Sequence, residues 1–468
     1  MRLLLAAAIV VCYTVFTVAV LRAHRRKAAE MARAQAQALA GTTGSEPTVT
    51  QSVASDATHV GDRGRTPMLV AYASQTGYAE QIANQTARSL QAANIPSRVR
   101  SLAELSLDEL ATTERALFVV STYGEGDPPD AGLNFVDSVM SGSPALERLD
   151  YGVLALGDRT YRNFCGFGKT LDGWLRRQCA VPLFDLVEVD NADEAALLHW
   201  QRNLSALGGR SDIPVWTQPR DERWQIASRQ LLNPGSAGQP CFHVELKPMD
   251  GAGMNWKSGD IAVLTPPGSS AREYSIASMP SEGSLHILVR QSRRADGTLG
   301  IASGWLTEHA ASGSEVPLRI RANSNFHAPD DARPIILIGN GTGLAGLRSH
   351  LKARETLRGS RSWLIFGERN AAHDAFYRDD IEKWRASGVL TRVDLAFSRD
   401  QETRVYVQHV IERSEKEMRE WVAQGATIYV CGSAAGMATA VDEALARALG
   451  RDKLNNLLAQ RRYRRDVY

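Results

Sequence analysis

Cysteine is scarce and scattered along this 468-residue chain. The five residues, Cys12, Cys165, Cys179, Cys241 and Cys431, are odd in number and lack the paired spacing of a disulfide framework or a thiolate metal site. No metal is expected on that ground, and a reducing compartment suits the chain best. Excess charge of one sign is also missing: 54 basic against 52 acidic residues leave a formal net charge of +2. That balance makes no general case for nucleic-acid binding, and none is expected. The basic residues that stand out cluster at Arg22 to Lys27 and Arg461 to Arg465. No repeat of fixed period is visible.

What is present is ordinary globular composition, 44% hydrophobic and 23% charged, in a chain too long for one core, so two or three domains are expected. Residues Leu3 to Leu21 carry no charge and approach the ~20 residues that a helix needs to cross a bilayer. Arg22, Arg25, Arg26 and Lys27 follow at once. The expectation is a membrane protein with a single-pass N-terminal transmembrane anchor at 1–22, its catalytic domains held in the cytoplasm by the positive-inside rule. A cleaved signal peptide is the rival reading; the length of the apolar run and the basic residues after it stand against it. Residues 23–66, rich in Ala, Gln, Thr, Ser and Gly, read as a flexible linker.

Beyond the linker, apolar runs of strand length alternate with amphipathic stretches: MLVAYA, ALFVVST and YGVLALG. Such alternation predicts a parallel α/β sheet domain over 67–210. Short alternating strands between Gly and Pro turns, CFHVEL, IAVLTP and SLHILVRQ, predict an antiparallel β-barrel over 216–330. Strand and helix alternation returns in IILIGNG, SWLIFGE, TRVDLAF and TIYVCGS, giving a second α/β domain over 331–468.

Three loops in the first domain carry chemistry. Ser74, Gln75, Thr76, Gly77, Tyr78 and Ala79 follow a strand and open a helix, where backbone N–H groups and hydroxyls hold a phosphate; alone, the segment would serve equally as a hydroxyl-rich helix cap. In STYGEGD, Ser121 and Thr122 precede Tyr123, which can lay its ring on a flavin while Gly124 lets the backbone approach. In LGDRTYRNFC, Tyr161 can cover the other flavin face, with Leu156, Gly157, Asp158, Asn163, Phe164 and Cys165 at its edge. Glu125, Asp127 and Asp130 nearby can dock a basic acceptor or be plain solvated charges. The three loops in order resemble the FMN loops of the flavodoxin-like domain of diflavin reductases.

In the barrel, REYS sets Arg272 and Tyr274 on one strand face, with Glu273 and Ser275 between and after them. A guanidinium there can pair with a pyrophosphate while the phenol stacks on a flavin. Gly300, Ile301, Ala302 and Ser303 sit where a helix N-terminus would meet a phosphate. Together they resemble the FAD-binding barrel of the ferredoxin-NADP reductase family. In the last domain Gly339, Gly341, Thr342 and Gly343 open a helix straight after a strand, as a dinucleotide loop does. Ser398 and Arg399, then Arg404, Tyr406 and Gln408, supply hydroxyl and cationic groups suited to the extra phosphate of NADPH, and are similar to the family's NADPH-phosphate motifs.

The resemblance covers Met68 to Tyr468. It implies an NADPH-dependent diflavin oxidoreductase of the NADPH-haemoprotein reductase type, taking hydride from NADPH onto FAD and passing single electrons through FMN to a protein acceptor. It further implies Ser275, Cys431 and Asp466 at the hydride step, with Tyr468 stacking on the flavin until nicotinamide displaces it. LGD with FC and the terminal RRYRRDVY are similar to the sulfite reductase flavoprotein, so alternative acceptors are a sulfite reductase haemoprotein or a membrane-bound haem or iron-siderophore reductase. No sirohaem or iron–sulfur ligand set is visible, so sulfite is not reduced by this chain alone. Three departures stand out: the family's connecting domain is missing between IAVLTPP and REYS, Asn340 and Gly346 replace common prolines, and Ala440 replaces a common acid. They leave a second class open, a membrane-tethered flavin-binding redox sensor without turnover.

Overall fold

A computed structural model describes residues 66–468 apart from 160, 210–215, 217–219, 250 and 252. The expected anchor at 1–22, and all but the last residue of the linker at 23–66, lie outside the described residues. Among the described residues no helix is long and apolar enough to cross a membrane. The membrane-anchored, single-pass placement is corrected accordingly: the apolar runs among the described residues are of strand length and are spent inside three sheets.

The first sheet contains β1 (Met68–Ala73), β2 (Ser97–Ser101), β3 (Arg115–Ser121), β4 (Asp150–Gly157), β5 (Val181–Pro182) and β6 (Val187–Asp190). The order is β2-β1-β3-β4-β5, with β6 also on β4, and every pairing is parallel. β1 is buried along its whole length, as a strand covered by helices on both faces must be. The helices Tyr78–Ala92 and Glu194–Leu207 pack one face; Gly166–Arg177 packs the other. The chain reverses direction of growth between β1 and β3, which opens a crevice at the carboxyl ends of those strands.

The second sheet is antiparallel: β7 (Glu222–Leu231), β8 (Cys241–Pro248), β9 (Ile261–Leu264), β10 (Arg272–Ser275), β11 (Leu285–Arg290) and β12 (Glu315–Arg321), in the order β10-β9-β12-β7-β8-β11. A bridge between Ile276 and Ile287 brings its two edges together, around a core of Trp224, Val244, Trp256, Leu264 and Leu285. β9 passes to β10 through a short turn, with Leu264 opposite Arg272.

The third sheet is parallel again, from β13 (Ile335–Asn340), β14 (Ser362–Glu368), β15 (Leu390–Phe397), β16 (Thr427–Gly432) and β17 (Tyr463–Val467), in the order β15-β14-β13-β16-β17. Its switch point falls between β13 and β16 and puts the ends of those two strands at a second ligand crevice.

Candidate functional site

At the end of β1 the chain makes a tight turn into the helix Tyr78–Ala92. Gly77 adopts φ +81, and a Cβ there would stand 2.4 Å from the Ala322 carbonyl oxygen, so only glycine serves. Ser74 Oγ accepts from Ala79 N at 3.2 Å, tying the turn to the start of the helix, whose own N-cap is Gly77. After β3, Tyr123 and Asp127 exchange backbone hydrogen bonds around Gly124 and Gly126, both at positive φ. Asn163 Nδ2 donates to the Glu125 carbonyl at 2.6 Å, so the second and third loops lean on one another. Cys165 closes the third loop in a left-handed conformation, and burial pushes its thiol up to about 12. Tyr161 is half exposed, whereas Tyr123 packs on the hydrophobic cluster of the third sheet. Phe164 lies beneath Arg159.

These loops fit an FMN. The Thr122 hydroxyl is buried without a hydrogen-bond partner in the protein, and nothing lies within 4 Å of where a Gly124 Cβ would stand. An orphan polar atom beside open backbone is a place for a ligand's polar edge.

In the barrel, strand alternation divides REYS. Glu273 and Ser275 point to one side, where Glu273 pairs with Arg321. Arg272 is exposed with its guanidinium on Ser270 Oγ at 2.8 Å, and Tyr274 packs beside the barrel core. Ser303 Oγ meets Ser292 Oγ at 2.8 Å, and a Cβ on Gly300 would stand 2.2 Å from that Ser292 oxygen. The Gly300 turn is thus fitted against the neighbouring loop ahead of the short helix Ile301–Gly304.

At the switch point of the third sheet, a Cβ on Gly343 would stand 2.0 Å from the Cys431 carbonyl oxygen, which is why β13 and β16 require glycine there. Gly341 (φ +55) turns beside Arg290, which pairs with buried Glu368. A cation beside a glycine turn fits a pyrophosphate. Ser398 is buried with its N–H on the Glu368 carbonyl, while Arg399, Arg404 and Tyr406 are exposed and Gln408 is half-buried.

The three residues expected at the hydride step come together from three strands. Ser275 Oγ donates to Asp466 Oδ2 at 2.7 Å, and Cys431 Sγ donates to the same oxygen at 3.6 Å. All three are buried. Burial pushes the Asp466 carboxyl above its ordinary range, against the pull of those two hydrogen bonds; burial and then Asp466 push the Cys431 thiol well above its own. Tyr468 continues from β17, anchored by Tyr468 N to the Gly432 carbonyl at 3.0 Å and Ala434 N to the Tyr468 carbonyl at 2.8 Å. Its hydroxyl donates to Thr342 Oγ1 at 3.2 Å, and its ring is half exposed.

Sequence reasoning missed the contacts that join the halves. Arg321 donates to the Thr76 carbonyl at 3.2 Å, to Thr76 Oγ1 at 3.0 Å and to Glu273, linking the first loop of the flavodoxin-like half to the REYS strand. Arg465 pairs with Asp130, which takes Asp130 out of the acidic set left for an acceptor. In the sequence Arg465 stood out only as part of the basic cluster at Arg461 to Arg465, and nothing there named Asp130 as its partner.

Two family models match: a flavodoxin over residues 70–200 and an oxidoreductase NAD-binding domain over 337–443. The chain is 26% identical to the sulfite reductase [NADPH] flavoprotein alpha-component of Aliivibrio fischeri, covering 90% of this chain and 92% of that protein. It is 28% identical to the protein of the same name from Bacillus subtilis, over 86% and 89%, and 27% identical to that of Neisseria meningitidis, over 86% and 89%. The first of these alignments runs over 556 positions while this chain has 468 residues, so the relative carries residues with no counterpart here, in keeping with the short β9–β10 turn. With both matched domains on one polypeptide and a barrel between them, the chain is an NADPH-dependent diflavin oxidoreductase that uses FMN and FAD.

Proposed function

We propose that this chain hands electrons from NADPH singly to a haem-bearing protein, as the flavoprotein component of a sulfite reductase. The likeness to sulfite reductase flavoproteins over nine-tenths of both chains supports that acceptor. So do Glu125 and Asp127, which are exposed beside Tyr123, where they meet a basic partner surface. The bound flavins convert a two-electron donor into one-electron traffic.

The protein's own part is placement and electrostatics. The Ser74–Ala79 turn, Thr122, Gly157, Asp158 and Asn163 hold the FMN, with Tyr123 and Tyr161 on its ring. Arg272, Tyr274 and the Gly300–Ser303 turn hold the FAD. Gly341 to Gly343 hold the pyrophosphate of NADPH, and Ser398, Arg399, Arg404, Tyr406 and Gln408 its extra phosphate. Asp466 faces the positive charge that develops on nicotinamide, oriented by Ser275 and Cys431. The single observation that carries this reading is that shared carboxylate oxygen, contacted from β10 and β16.

The test is purification of the intact chain with its flavins quantified, followed by anaerobic NADPH titration and then addition of a sulfite reductase haemoprotein. One FMN and one FAD per chain, both reduced by NADPH, with electrons reaching the haemoprotein, are expected. A single kind of flavin, or a second flavin that stays oxidised, defeats the diflavin assignment. Electrons that reach cytochrome c but never the sulfite reductase haemoprotein defeat the acceptor assignment.

A further inference from the structure

The barrel carries one set of side chains that electron transfer leaves unused. β8 reads His243, Val244, Glu245, and β11 places His286 directly across from Glu245. Val244 and Ile287 go into the barrel core, so strand alternation sets His243, Glu245 and His286 together on the opposite face. That face is covered by the third sheet's layer: His243 Nδ1 lies 2.6 Å from the Tyr377 hydroxyl. One ligand-capable atom from each of the three residues lies within 4.8 Å of the other two, and His243 Nε2 is 3.6 Å from Glu245 Oε1.

We propose that His243, Glu245 and His286 bind a divalent transition-metal ion of the zinc class at the seam between the barrel and the third sheet's layer. Two imidazoles and one carboxylate are a donor set on which zinc holds three protein ligands and keeps a position for water. Metal-binding histidines pair their far nitrogen with an oxygen, which fixes the tautomer and aims the near one. Both histidines here are built so. His243 engages Tyr377 through Nδ1, and His286 engages Ser284 Oγ through Nε2 at 2.7 Å. The nitrogens left over are His243 Nε2 and His286 Nδ1, and the latter is buried with no partner in a residue only 8% exposed. The nearby cation Arg348 is already held by Glu282 and Asp380, which leaves the Glu245 carboxylate to meet the ion. The expectation of no metal rested on cysteine spacing, and this cluster uses no cysteine.

The ion ties β8 and β11 together beneath Tyr377, so it adds to the stability of the folded chain. The test uses the intact flavin-loaded chain, stripped with a chelator and then dialysed against zinc chloride, with wild type compared to Glu245→Gln and His286→Gln. Wild type should take up one zinc per chain at this site and unfold at a higher temperature in zinc. Each variant, still holding both flavins, should bind that zinc at least about tenfold more weakly and lose the thermal shift. Equal zinc affinity in all three proteins, or a wild type that zinc neither enters nor stabilises, overturns the proposal. Should one variant lose its flavins, the other and the wild-type uptake decide the matter.

Discussion

Arg465 and Asp130 form a partly buried ion pair across 335 residues of chain. Arg465 Nε donates to Asp130 Oδ2 at 2.8 Å and a second guanidinium nitrogen reaches the other oxygen. Burial would lower the guanidinium's pKa, yet Asp130 holds it above its ordinary value. Gln75 completes the joint: its Nε2 donates to the Arg465 carbonyl at 3.1 Å and its Oε1 accepts from Asp130 N at 2.9 Å. Arg465 immediately precedes Asp466, so the first loop of the flavodoxin domain grips the strand that carries the buried carboxylate.

Asp130→Asn should therefore separate the two flavin reductions in time. Removing one member of this partly buried pair leaves the Arg465 guanidinium without its carboxylate partner, which loosens the joint between the flavodoxin domain and β17. Stopped-flow mixing with NADPH should show the first flavin reduced at nearly the wild-type rate and the second slowed by at least about tenfold, the equivalent of 1.4 kcal/mol. A second phase as fast as that of wild type removes this pair from the electron path.

Asp466→Asn should slow reduction of the first flavin by about a hundredfold, the order of loss when one preorganised electrostatic group is removed, with FAD content intact. Because burial raises the Asp466 carboxyl, its charged form appears only above the usual carboxylate range. The wild-type rate should accordingly climb as pH rises through that raised pKa, and the variant should lack this limb. A wild-type profile that is flat across the acid range, or a variant that keeps the limb, excludes Asp466 from the step.

Much of this architecture was readable because β1, β3, β4, β13 and β16 are strands of parallel sheets, which appear as unbroken apolar runs. β17 was not readable as a strand. Its sequence YRRDV carries three charges, and the structure spends each of them: Arg464 on the carbonyls of Ser324 and His327, Arg465 on Asp130, Asp466 on Ser275 and Cys431. The edge strand β2, SRVRS, alternates with only Ser101 buried and was missed for the opposite reason, too little burial. The turns proposed to hold phosphate are local in the chain and so left local signals. Ser275 and Asp466 stand 191 residues apart, and only family resemblance put them together beforehand. The His243, Glu245 and His286 cluster depends on the register between β8 and β11, which no single segment encodes.

Tyr468→Ala should raise the use of NADH relative to NADPH. The terminal ring sits half exposed over the Gly341–Gly343 turn, held by the Thr342 hydroxyl and two backbone hydrogen bonds; in the proposed reading nicotinamide displaces it. Binding of the extra phosphate helps NADPH meet that cost, whereas NADH lacks this anchor. The ratio of kcat/KM for NADPH over NADH should fall by about tenfold or more, as when about 1.4 kcal/mol of discrimination is lost. An unchanged ratio contradicts a gating role.

His350 offers a test of the core itself. Both of its ring nitrogens are buried without partners, against Phe326 at 5.0 Å and Tyr429 at 4.5 Å between ring centroids. Burial drives its pKa from 6.5 down to about 3, with Arg464, His327 and Arg354 pushing the same way. Between those two values the unfolded chain binds a proton that the folded chain refuses, so folded stability falls as pH drops below 6.5. The slope approaches about 1.4 kcal/mol per pH unit, or about 2 kcal/mol between pH 7 and pH 5. His350→Leu removes the titrating group and the unpaired nitrogens together. The variant should match or exceed wild type in urea at pH 7 and lose about 2 kcal/mol less than wild type on going to pH 5. If both proteins lose stability equally over that interval, His350 is solvated or paired in solution and does not stand neutral in the core.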